Sequence, residues 1–143
     1  MQVSYSAEST LDSTLSRNGL RVLLVYPNTR DVAMANLGFQ QVYSLLNQIE
    51  GVECDRYAFP LDWKPEMQSL DRKELRSMEL QRHPLEFDVI AFSISFEPDY
   101  LNAVLALKYF GIPLSREERD ASHPMITAGG SAIFINPEPL AEC

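Results

Sequence analysis

At 143 residues, with 45% hydrophobic and 22% charged side chains, the chain can bury one real core, and its composition excludes fibrous and disordered classes. A formal net charge of −8, from 20 acidic against 12 basic residues, argues against nucleic acid as a partner, because phosphate neutralisation needs clustered Lys and Arg. No apolar run approaches the roughly 18 residues of a bilayer span and no basic, then hydrophobic, leader opens the chain, so no membrane contact and a cytoplasmic location are expected.

Residues 1–19 are rich in Ser and Thr and read as a flexible N-terminal arm, leaving residues 20–143 as one α/β domain. Leu20 to Tyr26 is an apolar run without alternation, which suits a central parallel strand covered on both faces. It stops at Pro27 and opens into a polar loop. Asn36 reads as the N-cap of a helix whose apolar positions are Leu37, Val42, Leu45, Leu46 and Ile49, ended by Gly51. Val52 to Phe59 is a second strand, nearer an edge, with Pro60 as its stop.

Between Pro60 and Pro84 the pattern is irregular and charged, with one or two short helices suggested by Met67, Leu70, Leu75, Met78 and Leu80. Asp88 to Ser95 is the second strong buried strand. Pro98 then suits the first turn of a helix carrying Tyr100, Val104, Leu105, Leu107 and Phe110, closed by Gly111. A connector with a solvated charge cluster at Arg116 to Asp120 leads to a short strand, Pro124 to Ala128, which runs into Gly129-Gly130-Ser131. Asn136 to Pro139 announces a turn. Strands alternating with helices imply parallel pairing, and a further βα unit is expected after the fourth strand. Without it the sheet has an open edge that invites self-association.

Few residues could carry chemistry. Gly129-Gly130-Ser131 could offer backbone N–H groups to a phosphate or other polar group, or form a tight turn without a ligand. Ser93 and Ser95 end a buried strand, where hydroxyls either cap a turn or touch a ligand. Glu97 is a lone carboxylate better suited to a surface role than to acid–base work. The two histidines, His83 and His123, each precede a proline in a connector, and Cys54 and Cys143 form no CxxC pair; no metal set or nucleophilic triad can be assembled. The residues describe a binding domain.

Three stretches, VYPNTRDVAMANLGFQQVYSLLN, FDVIAFSISFEPDYLNAVLALKYFGIPL and HPMITAGGSAIFINPEPLAE, together resemble the N-terminal cobalamin-binding-type domain of B12-binding-domain radical SAM proteins. The resemblance implies a flavodoxin-like (Rossmann-like) three-layer parallel sheet of order 2-1-3-4-5, here cut short at its C-terminal side. A corrinoid would lie across the carboxyl ends of the strands. Its contacts would be Pro27, Asn28, Leu37 and Gly38 after the first strand, Ser93, Ser95, Phe96 and Glu97 after the third, and Gly129, Gly130, Ser131 and Asn136 after the fourth.

Two departures qualify that picture. The Asp-x-His-x-x-Gly loop of mutases and methionine synthase, whose His ligates cobalt, is replaced by Asp31-Val32-Ala33-Met34-Ala35-Asn36-Leu37-Gly38, so cobalamin would be held without a protein histidine. The CxxxCxxC cysteines of the [4Fe–4S] cluster are missing, which puts the cluster, S-adenosylmethionine and the downstream radical SAM domain beyond this stretch. A docking domain that keeps the fold without the cofactor is the alternative. A flavin site is disfavoured because Pro27-Asn28-Thr29-Arg30 has one Thr and no Gly. Gly130 is the position expected to tolerate a side chain least, for close ligand approach and for a positive φ.

Overall fold

The computed structural model describes residues 19–143; the arm expected over residues 1–19 lies outside that range except for Gly19. Four strands make one sheet: β1 (Leu20–Thr29), β2 (Val52–Phe59), β3 (Val89–Ser93) and β4 (Met125–Gly129). Their order is β2-β1-β3-β4 and every pairing is parallel. The helices are α1 (Arg30–Ala35), α2 (Leu37–Asn47), α3 (Asp99–Phe110) and α4 (Ser131–Ile135). This is the expected α/β flavodoxin-like architecture. No helix among the described residues is long and apolar enough to cross a membrane.

The uninterrupted apolar run in β1 is explained by burial on both faces. Leu23 and Val25 point to the side covered by α3, where they join Tyr57, Phe59, Ile90, Phe92 and Phe110. Val22, Leu24 and Tyr26 point to the side of α2, against Ala33 and Phe39. The crossover from β1 to β2 and that from β3 to β4 therefore lie on opposite faces, as a constant crossover hand requires when the sheet grows in opposite directions from its centre. β1 and β3 are neighbours and parallel, and the side chains of Leu23, Val25 and Ile90 are wholly buried.

Four local expectations change. β1 runs on through Pro27 to Thr29, with a register shift between Tyr26 and Thr29 that lets a residue lacking an N–H sit in the strand. The loop that follows is mostly the short helix α1. The third strand is shorter than expected, Val89–Ser93, although Ile94 still donates to the Gly129 carbonyl at 2.8 Å. On α2 only Phe39 is buried, so Val42 and Leu45 stay exposed, as does Ile49 in the turn just beyond its end.

The segment from Pro60 to Pro84 holds only 3₁₀ turns, at Arg72–Glu74 and at Pro84–Glu86. It is nonetheless tied down. Trp63 stacks on Phe59 with ring centroids 4.1 Å apart and donates to the Tyr109 hydroxyl, which donates to the Met67 carbonyl at 2.7 Å. Met78 donates to the Arg56 carbonyl at 2.8 Å, so β2, an edge strand by position, has its outer side covered. Among the described residues no strand pairs with the outer side of β4.

Candidate functional site

β1 and β3 deliver their chains to opposite sides, so the crevice between their carboxyl ends is the switch point at which ligands bind in open α/β sheets. A hydrogen-bonded net ties the loops together there. Asn36 caps α2, accepting from the Phe39 N–H at 2.9 Å, and its Nδ2 donates to Ser95 Oγ at 3.3 Å and to the Tyr26 hydroxyl at 3.5 Å. The Ser131 hydroxyl donates to the Ser95 carbonyl at 3.1 Å, joining the turn after β4 to the turn after β3. Burial, more than the nearby Asp99 carboxylate, raises the Tyr26 phenol above its ordinary pKa, and contacts with Ser95 and Asn36 oppose the rise.

Beside this net, on the α2 face of β3 and β4, lies a groove of about 410 Å³. Gly38, Ser93, Ser95, Gly129, Gly130 and Ser131 line it together with Asn36, Val42 and Thr127. The other expected contacts lie elsewhere. Pro27 is buried, Asn28 turns its amide onto Asp99, and Leu37, Phe96, Glu97 and Asn136 are exposed at the carboxyl ends, outside the groove lining. Asn136 is held through its carbonyl by the Tyr100 hydroxyl, which also donates to the Ala132 carbonyl at 2.8 Å.

The two glycines differ. Gly130 has φ +109°, and a Cβ there would come within 2.4 Å of the Ile94 carbonyl oxygen. The intolerance expected at this position has its cause in the chain's own β3 turn. Gly129 has open space where a Cβ would stand, so it forms bare floor in the groove.

Sequence reasoning passed over the most unusual group. Asp99, at the start of α3, is 1% exposed. Its Oδ1 accepts from Asn28 Nδ2 at 2.9 Å and Asn102 Nδ2 at 3.1 Å, while Oδ2 has no partner. Burial holds its pKa above the usual carboxylate range against the pull of the two amides. Glu97, the carboxylate the sequence singled out, is exposed.

The histidines stand at the other end of the sheet. His83 caps the turn before β3, accepting from the Leu85 N–H at 3.1 Å, and His123 accepts from the Asp120 N–H at 3.1 Å before β4. Cys54 is buried and its thiol is pushed up to about 12, mainly by desolvation, so it is no ready thiolate. Among the described residues no cluster of His, Cys, Asp and Glu is arranged to hold a metal ion. The groove offers shape, hydroxyls and one amide, and no charged side chain lines it.

The family described as radical SAM proteins, N-terminal, matches residues 38–143, a stretch that starts at Gly38 in α2 and takes in β2, β3 and β4. No curated protein and no solved structure matches the chain.

Proposed function

We propose, for a chain that belongs to the N-terminal family of radical SAM proteins, that this domain holds a corrinoid across the carboxyl ends of β1, β3 and β4. The observation that carries the reading is the groove at the switch point, floored by Gly129 and walled by Asn36, Ser93, Ser95 and Ser131. The residues present fit the group. Open space over Gly129 admits a bulky ligand, and the hydroxyls and amide of Ser93, Ser95, Ser131 and Asn36 line the groove beside it. Leu37 at the start of α2, Phe96 in the turn after β3 and Phe134 in α4 are 84%, 60% and 92% exposed and offer apolar surface to a flat macrocycle.

When bound, a corrinoid supplies alkyl or one-electron chemistry at its cobalt, and the protein supplies position and seclusion. On this reading Asn36 and Ser95 fix the relative placement of the first and third loops, and Gly130 lets the fourth loop pass close beneath them. No histidine lies at this end, so shape and backbone contacts carry the affinity. The iron–sulfur cluster and S-adenosylmethionine belong to another segment of the same protein.

The test is to mix the full protein with hydroxocobalamin, remove free ligand by gel filtration, and reduce the bound cobalt to cobalt(II). Co-eluting colour is expected, with an electron-paramagnetic-resonance spectrum that the His83→Ala and His123→Ala changes leave unaltered. Nitrogen splitting that disappears in either variant would refute the histidine-free mode.

The exposed stripe Val42, Leu45 and Ile49, at 41%, 53% and 53%, favours a second reading in which α2 docks on the catalytic domain and no corrinoid is held. Colourless protein after gel filtration, with Leu45 and Ile49 shielded from hydroxyl-radical footprinting in the full protein, would select it.

A further inference from the structure

From Leu37 through Ile49 the chain has no Asp, Glu, Lys or Arg, although 22% of all its residues are charged. The sheet side of α2 is taken by buried Phe39, with Tyr43 and Leu46 half-buried beside it. A second line holds Val42, Leu45 and Ile49, which are 41%, 53% and 53% exposed. Spacing of three and then four residues sets them along one flank. Ile49 stands just past the helix, where its N–H donates to the Leu46 carbonyl at 3.2 Å and keeps the turn closed.

The flank adjoins bare sheet. On the α2 face, Thr127 and Gly129 of β4 are exposed and Ala91 and Ser93 of β3 are only half-buried. Val42 lines one groove with these four residues, so helix flank and uncovered strands form a continuous surface.

The polar groups around the flank limit what can cover it. Gln41, Ser44 and Gln48 are exposed and uncharged, and each can both donate and accept a hydrogen bond. A twofold contact sets a patch against its own copy, so it needs groups that pair with their own kind. Amides and hydroxyls do this, whereas like charges repel. With a net charge of −8, two copies repel over most approaches and can close through an uncharged face. A basic partner would be recognised by carboxylates, and α2 offers none.

We infer that this face of α2 is a self-association surface, on which a second copy of the protein packs its own α2 antiparallel about a twofold axis at Leu45. Leu45 then meets its own copy, and Val42 lies against Ile49 of the partner subunit. The inference does not rest on the corrinoid reading, and it assigns to a second copy the flank that the docking reading gives to the catalytic domain. Because Val42 also lines the groove, the second copy would stand beside any ligand held there.

Sedimentation equilibrium of the full protein between about 1 and 200 μM tests this, the range in which a small contact dimerises. Wild type should form a dimer. Leu45→Glu sets two carboxylates face to face and should weaken it about tenfold or more, as should Leu45→Lys with two ammonium groups. An equimolar mixture of the two variants should recover the dimer to within about threefold of wild type, since one carboxylate then meets one ammonium. Leu61→Glu, an equal charge at another exposed leucine, should leave dimerisation unchanged. Both Leu45 variants should melt as wild type does.

A wild type still monomeric at about 200 μM overturns the inference. If Leu45 is then shielded from hydroxyl-radical footprinting, another part of the same protein covers α2. A dimer that tolerates both Leu45 variants is built elsewhere, as at the open edge of β4, and overturns it too. So does a mixture as weak as its components, because Leu45 then does not meet its own copy. A marked loss of melting temperature in either variant places Leu45 against its own subunit and has the same consequence.

Discussion

Two buried aspartates, one at the edge of the sheet and one at its carboxyl end, have opposite surroundings. Asp55 on β2 is 0% exposed, and its oxygens are filled by backbone: Arg56 N–H at 2.7 Å and Glu79 N–H at 3.1 Å on Oδ1, Leu80 N–H at 2.8 Å on Oδ2. Burial pushes its pKa up, but the hydrogen bonds outweigh burial and the net shift is downward. Asp99 is as deeply buried, has one oxygen filled by amides and the other bare, and its pKa is raised. The same side chain serves in one place to rivet the 77–80 strap onto β2 and in the other leaves an acceptor unspent. Burial alone does not set the direction of the shift; the count of filled lone pairs does.

The largest effect that would sharpen this contrast is at Asp55. Replacing it by Ala leaves three backbone N–H groups without their acceptor and should cost about 3–4 kcal/mol in urea denaturation. A loss below about 1 kcal/mol would break the comparison. Next comes Gly130→Ala, where the Cβ collides with the Ile94 carbonyl and φ is positive, expected to cost about 2–3 kcal/mol and to loosen the turn that carries Ser131. If that variant is as stable as wild type, the groove's fourth-loop wall is not held as described.

The pH dependences should run in opposite directions. Asp55, depressed in the folded state, contributes stability that is present above the unfolded value of about 4 and lost as pH falls through its folded value. Asp99, raised, carries no penalty below about pH 4 and a growing one as pH climbs towards its folded value. Asp55→Asn should therefore hurt most at neutral pH and least in acid. Asp99→Asn should be neutral in acid and gain up to about 1 kcal/mol at pH 7, in melts taken from about pH 2 to pH 8. Parallel profiles for the two variants would contradict the distinction. The smallest effect is His83→Ala, which removes only the cap on Leu85 N–H and should cost under about 1 kcal/mol.

How much of this could be read beforehand follows from the range of each interaction. The apolar runs of β1 and β3, the Asn36 cap and the Gly111 stop with φ +77° are local patterns, so the fold was legible. Gly38, Ser93, Ser95, Gly129, Gly130 and Ser131 follow or end strands, and topology alone brings such positions to one groove. The tie-down of Pro60 to Pro84 was illegible because Trp63 is ordered by Phe59 and Tyr109, not by its own neighbours in sequence. Asp99 escaped notice for a similar reason. Its amides come from β1 and from a later turn of α3, and nothing in Phe96-Glu97-Pro98-Asp99 says which carboxylate turns inward.

The most direct test of a ligand seat at the strand ends is a titration of the full protein with hydroxocobalamin, followed by visible absorbance, in wild type and Gly129→Val. A Cβ at Gly129 meets no atom within 4 Å, so the fold should keep its melting temperature while the new side chain fills the groove floor. The account predicts affinity weakened by about tenfold or more in the variant. Equal affinity in the two proteins, with the fold intact in both, would contradict it.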